Sequence, residues 1–228
     1  MIPPFEETFG GKLHYHAYAD LLSSRSVGKS WTWCDVRPDA VVGFVPGGSA
    51  FNLTAHWGTY LALYALVEGK GAKVHFPGTQ SGMNALYNDA SSDTIGKLAI
   101  WASLNPDKTG GQIFNVADCE KPSSQRERWP RIAGYFGLEG VGPVEGTTEV
   151  LTPSEYMEQY KDVLVRKGVK ASSVFYGSVL DSNMGSFDKD RHFDMSRTRG
   201  VGFTEEVDPN QSWFDAFDRY KAAGMLPV

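Results

Sequence analysis

Residues 31–46 read Trp31-Thr32-Trp33-Cys34-Asp35-Val36-Arg37-Pro38-Asp39-Ala40-Val41-Val42-Gly43-Phe44-Val45-Pro46. The first half is rich in aromatic and β-forming side chains and predicts a short strand. Pro38 stops it, because proline has no N–H to give to a ladder. A second apolar run follows at once, and Gly43 with residues 46–48 marks a turn-rich mouth after it. On the amino side, residues 15–26 predict a helix with Tyr18, Leu21 and Leu22 on one face, ended by Gly28 and Lys29. On the carboxyl side, residues 52–68 predict a long helix. Leu53, Trp57, Tyr60, Leu61, Tyr64 and Val67 recur there at three- and four-residue steps, and Asn52 is a suitable N-cap.

Further out, residues 73–78 predict a short strand ending in a turn, and residues 111–116 a buried strand. Helices are expected over 93–104, 124–136, 154–167 and 212–223. Helices outnumber strands. That is unusual for a self-sufficient α/β domain, which needs a continuous sheet to cover two helix layers. Residues 1–120 hold most of the strand signals and 121–228 read as mainly helical, so the chain is divided there into two regions.

The 228 residues are 41% hydrophobic and 21% charged, a globular balance. A net charge of −5 with no basic patch argues against nucleic acid as a partner. The first twelve residues do not follow the pattern of a signal peptide, and no apolar run is long enough to cross a bilayer, so no membrane partner is expected. Cys34 and Cys119 stand alone, which offers neither a disulfide framework nor zinc spacing. A reducing, cytoplasmic setting fits. His14 and His16 stand at strand spacing, but no carboxylate cluster accompanies them, so no metal site is expected. No Gly-x-Ser-x-Gly elbow is present for a hydrolase.

Several of these segments together resemble the extended short-chain dehydrogenases/reductases, in the branch typified by progesterone 5β-reductase and iridoid synthase. The resemblance runs through Trp33, Arg37, Pro38, Val41, Gly43, Phe44, Pro46 and Asn52. It continues through Phe76-Pro77-Gly78, Trp101, Phe114-Asn115-Val116, Trp129-Pro130, Gly202-Phe203 and Trp213, and so covers nearly the whole chain. It implies an α/β fold: part of an NAD(P)-binding Rossmann-type domain, with a mainly helical substrate-binding region. It further implies an NAD(P)H-dependent oxidoreductase that reduces an enone or carbonyl of an apolar small molecule in secondary metabolism.

The resemblance implies a catalytic role for Tyr15, whose phenol would hydrogen-bond the oxygen on which charge develops during hydride delivery. It implies contacts from Val41, Ser49, Ala50 and Phe51 to the nicotinamide end of NADP or NAD. Trp57 and Phe203, with Phe175, Tyr176 and Phe187, are candidates for an apolar substrate pocket. Two expected parts do not appear in the sequence. No Gly-x-Gly-x-x-Gly turn links a strand to a helix, and Gly69-Lys70-Gly71 reads as a helix-end turn. The family's catalytic lysine has no counterpart, with Ala19 standing where simpler reductases carry it. Two readings therefore stay open. One is a reductase; the other is a truncated or degenerate, inactive relative acting as a binding protein. In the second, the sheet edge near Trp33, Val36, Ile113 and Phe114 needs a cover from a second copy or a partner chain.

Overall fold

The computed structural model describes residues 14–47, 49, 51–144, 150–169, 179–181 and 187–227. In chain order these form α1 (His14–Ser26), β1 (Cys34–Arg37), β2 (Ala40–Val42), α2 (Leu53–Glu68), β3 (Lys73–His75), α3 (Gln80–Asn84), β4 (Leu86–Tyr87), β5 (Asp89–Ser91), α4 (Ser92–Leu104) and α5 (Pro106–Thr109). Then come β6 (Gln112–Asn115), β7 (Ser123–Ser124), α6 (Gln125–Tyr135), β8 (Glu139–Val141), α7 (Pro153–Gln159), α8 (Lys161–Arg166), α9 (Ser196–Gly200) and α10 (Pro209–Ala222).

The expected strand after Trp33 is β1, and its ladder partner is β6. They run parallel, with Cys34 opposite Gln112 and Arg37 opposite Asn115. Parallel pairing requires a long crossover, and here the segment between them carries α2 and α4. Two further pairs are parallel, β2 with β5 and β3 with β8, while β4 and β7 are antiparallel. Each ladder has two strands among the described residues. This is an α/β arrangement in which helices, not a broad sheet, do most of the covering.

The centre is α2. Every residue from 54 to 63 is buried, as expected of a helix that packs on all sides. Asn52 caps it by accepting from the Ala55 N–H at 2.8 Å, and the helix ends before Gly69, whose φ is 90°. Trp57 stacks on Trp213 at 5.2 Å and meets Trp129 edge-on at 5.3 Å. This aromatic core draws on residues from Val42 to Leu226, so it spans both regions read from the sequence. A second, smaller core joins Leu98 of α4, Phe114 and Val116 under β6, and Phe203.

One expected helix is broken. Residues 154–167 form α7 and α8, which meet at Tyr160. A capping box, with Thr152 and Glu155 bonding reciprocally to backbone N–H groups, starts α7.

Candidate active site

The site begins at the carboxyl end of β1, where open α/β sheets commonly bind ligands. Arg37 closes that strand. Its Nε donates to Asp35 Oδ2 at 2.7 Å, and its guanidinium stands 6.0 Å from the centre of the Tyr15 ring. Arg37 Nη2 is buried and has no hydrogen-bond partner among the described residues. Tyr15 lies in the first turn of α1 and is 61% exposed. Tyr18, Leu21 and Leu22 on the same helix are exposed as well.

Past Pro38 the chain turns toward an apolar recess. Asp39 pairs with Arg191 at 3.2 Å. Arg191 in turn lies 3.9 Å over the Phe187 ring and 5.9 Å from the Tyr87 ring. The recess is walled by Leu53, Phe76, Tyr87, Phe187 and Trp213, and has about 30 Å³ of room for water-sized molecules. Its position follows from local sequence. Asn52 starts α2 so that Leu53 faces it, and the β2–β5 pairing brings Asp89 opposite Ala40.

Beneath the apolar walls is a buried polar group of residues. Asp89 Oδ2 accepts from Trp213 Nε1 at 2.7 Å and is in contact with the Arg128 guanidinium. Arg128 also donates to Ser123 Oγ and lies 4.6 Å over the Tyr87 ring. Gln125 Nε2 donates to the Tyr87 hydroxyl. Burial pushes the Asp89 carboxyl above its ordinary range, against the pull of Arg128 and of the Trp213 N–H. Burial also pushes the Tyr87 phenol up, and the Asp89 charge adds to it. For Arg128, burial works downward, but the charges of Asp89, Tyr87 and Asp118 and the hydrogen bond to Asp89 together outweigh it, and the net direction is up.

The residues expected at the nicotinamide end lie on β2 and on the loop after it. Val41 is exposed, on the opposite side of β2 from buried Val42. Ser49 Oγ accepts from the Phe51 N–H at 3.3 Å, and the Ser49 carbonyl accepts from the Asn52 N–H at 3.1 Å. Phe51 is 74% exposed. Ala50 lies outside the described residues, as do Phe175 and Tyr176. The start of the loop is held in place: Asn52 Nδ2 donates to the Gly43 carbonyl at 3.2 Å, and the Tyr220 hydroxyl accepts from the Val45 N–H at 2.9 Å. At Gly43 the chain passes Ser92 so closely that a Cβ would stand 2.7 Å from Ser92 Oγ.

The two residues expected at the substrate sit deeper. Trp57 is wholly buried and backs Phe76 and Trp213, which themselves wall the recess. Phe203 is buried in the second core, 6.1 Å from Trp101. Of the expected aromatics, Phe187 lines the recess directly. Sequence reasoning passed over Asp89, Gln125, Arg128 and Tyr87. Arg128 sits between Glu127 and Trp129 in an amphipathic helix, where an arginine reads as a solvated charge. Its partner lies far away in the sequence.

One observation bears on a dinucleotide: Arg37 Nη2, near Tyr15, is a buried donor with no hydrogen-bond partner among the described residues. No glycine-rich turn ahead of a helix, of the kind that holds a pyrophosphate, occurs among the described residues. The turn at Gly69-Lys70-Gly71 follows α2, and Gly71 donates to the Gly137 carbonyl at 2.7 Å. Among the described residues, no group of three or more His, Cys, Asp or Glu side chains is placed to hold a metal ion, and no helix is long and apolar enough to cross a membrane.

Comparison with known proteins agrees with this geometry. A short-chain dehydrogenase of Aspergillus calidoustus, ausT, is 31% identical over 99% of this chain and 56% of its own length. An (S)-8-oxocitronellyl enol synthase of Catharanthus roseus is 29% identical over 93% of this chain and 54% of its own. The solved structure of RMD from Pseudomonas aeruginosa, complexed with NADPH, superposes with a TM-score of 0.50 at 13% identity, covering 92% of this chain and 54% of that one, and shares the fold. The chain therefore spans about half the length of the curated relatives it matches. The PRISE-like Rossmann-fold domain model matches residues 1–227. With β1 and β6 parallel and Tyr15 at the carboxyl end of β1, the chain belongs to that family, a branch of the extended short-chain dehydrogenases/reductases.

Proposed function

We propose that this chain is the substrate side of an NAD(P)H-dependent oxidoreductase that reduces an enone or carbonyl of an apolar small molecule. The observation that carries the reading is the placement of Tyr15 beside Arg37, within the few residues that lead from β1 into the apolar recess. NADP or NAD, when bound, would supply the hydride. Tyr15 donates its phenolic hydrogen bond to the substrate oxygen and so offsets the charge that develops there. The Arg37 guanidinium lies 6.0 Å from the centre of the Tyr15 ring, where its charge can act on the phenol. Leu53, Phe76 and Trp213 exclude water from the hydrocarbon body of the substrate. The resemblance supports a role in secondary metabolism, and the two isolated cysteines, Cys34 and Cys119, support a reducing, cytoplasmic setting. Val41, Ser49, Ala50 and Phe51 are proposed for the nicotinamide end, and Trp57 and Phe203 as supports of the substrate region.

Titration of the 228-residue chain with NADPH and with NADH, followed by tryptophan and nicotinamide fluorescence, tests the reading for this chain. Binding of either cofactor supports it; binding of neither removes it for the chain by itself.

A second reading is a non-catalytic relative that binds a ligand or a partner. The exposure of Tyr15, Tyr18, Leu21 and Leu22 on α1 favours it, because an apolar helix face left in water needs a cover. A second copy of the chain, or a separate nucleotide-binding chain, would supply one.

A further inference from the structure

Between the loop that follows β6 and the amino ends of α6 and α10 lies an open cleft with about 380 Å³ of room for water-sized molecules. Lys121, Pro122, Ser123, Arg131 and Pro209 line it, with buried Arg128 behind them. Charge in and around the cleft is unevenly matched. The charge of Arg128 is met by Asp89. Glu120 and Glu206 both pair with Arg199, at 3.4 and 2.9 Å. Asp208 Oδ1 accepts from the Asn210 N–H at 2.9 Å. Glu127 is the carboxylate among the lining residues, and its Oε2 accepts from the Ser124 N–H at 3.4 Å. Lys121 and Arg131 are exposed and form no ion pair among the described residues. The lining is left net positive, Lys121 and Arg131 against Glu127. The amino ends of two helices add positive partial charge to it. Ser123 Oγ accepts from Arg128 Nε, so the Ser123 hydroxyl hydrogen is left to donate elsewhere.

We propose that this cleft binds a phosphoryl group, free or carried by a small organic molecule, through Lys121, Arg131 and the Ser123 hydroxyl. Two cations and a hydroxyl donor suit a dianion with several acceptor oxygens. A carboxylate brings one charge and two oxygens and uses fewer of these donors. An extended polyanion is disfavoured, because Glu120, Glu206 and Asp208 stand next to the lining residues and the whole chain carries a net charge of −5. The rings of Pro122 and Pro209 offer apolar surface to an organic body. The site is separate from the apolar recess and does not rest on the reductase reading.

The test is calorimetric titration of the 228-residue chain with inorganic phosphate and with phenyl phosphate, at an ionic strength held constant with chloride and with no nicotinamide present. At about pH 8, where both probes are largely dianionic, saturable binding of at least one is expected. The tighter of the two tells whether the site takes free phosphate or a phosphomonoester, and either result upholds the shared chemistry. Lys121→Gln combined with Arg131→Gln should weaken binding at least about tenfold. Both side chains are exposed, so the double variant keeps its core. Lys70→Gln, which removes an exposed lysine elsewhere on the chain, should leave the affinity unchanged. Three results overturn the proposal: no saturable heat with either probe, an unchanged affinity in the double variant, or an equal loss in Lys70→Gln. The last would mean that the anion answers to overall charge and not to this cleft. Because neither probe contains a nicotinamide, a chain that binds phosphate but neither NADPH nor NADH keeps this site and loses the reductase reading, and the reverse outcome does the opposite.

Discussion

Tyr15 lies in the first turn of α1, with the Arg37 guanidinium 6.0 Å from the centre of its ring. If its phenol donates to the substrate oxygen, Tyr15→Phe should lower kcat by about 10²–10⁴-fold in a complete, active form of the enzyme, the range expected for loss of a general acid. KM should move far less, because the bond strengthens only as charge develops. Steady-state kinetics reads this split. Arg128 and Asp89 make a different kind of pair, buried and mutually dependent. Arg128→Met removes one charge and leaves the other without its partner, which should cost about 3–5 kcal/mol in urea unfolding. A third residue-scale prediction concerns pH. Burial works to raise the Asp181 carboxyl, but hydrogen bonds from His56 and the Ser154 N–H outweigh it and hold it below its ordinary value of 3.8. A depressed carboxylate stabilises the fold above its unfolded pKa, and the gain is lost as pH falls through the folded value. Asp181→Asn should therefore flatten the acid limb of stability against pH, read by thermal melts between roughly pH 5 and pH 2.

The elements that the sequence makes legible are the ones with local causes. The strand ended by Pro38 is β1, and the helix capped by Asn52 is α2. The strand around residues 111–116 is β6, and the expected helices over 93–104 and 124–136 are α4 and α6 within a residue or so at each end. Caps, prolines and periodicity act over a few residues, so a reader of the chain can weigh them. The short strands β4, β5, β7 and β8 were not legible, because a strand of two or three residues exists only through the partner it pairs with. Asn52 shows how much one capping residue joins. Its side chain closes α2 through the Ala55 N–H and ties the loop through the Gly43 carbonyl. Asn52→Ala should cost about 1–2 kcal/mol for the cap, with a further loss at the Gly43 carbonyl, which would keep only the longer, 3.5 Å hydrogen bond from the Tyr220 hydroxyl. Chemical denaturation measures it, and Asn52→Asp, which keeps the cap acceptor, should recover part of the difference.

At the scale of the whole molecule, the aromatic core around α2 is closed while the face carrying α1 is open. Trp57, Trp129 and Trp213 lie wholly inside. Tyr15, Tyr18, Leu21 and Leu22 remain in contact with solvent. The chain alone should therefore self-associate through α1 at raised concentration. Light scattering after size exclusion should show mass rising with loading, and Leu21→Lys together with Leu22→Lys should return it toward the monomer. A well-behaved monomer at all concentrations would count against any required cover on this face.

The amino-acid sequence by itself determined the order of the long elements and the family resemblance, and through that resemblance the α/β class and Tyr15 as the candidate acid. The long elements rest on local patterns and on their spacing along the chain. Only the tertiary structure decided where the apolar recess lies, that Trp57 sits in the core behind it and Phe203 in the second core, and that Asp89, Gln125 and Tyr87 line it with Arg128 paired to Asp89. The physical reason is that a buried charge is readable only with its partner. Asp89 and Arg128 are 39 positions apart, and Asp89 and Trp213 are 124 apart. No local pattern of a single sequence carries a pairing made across such a distance.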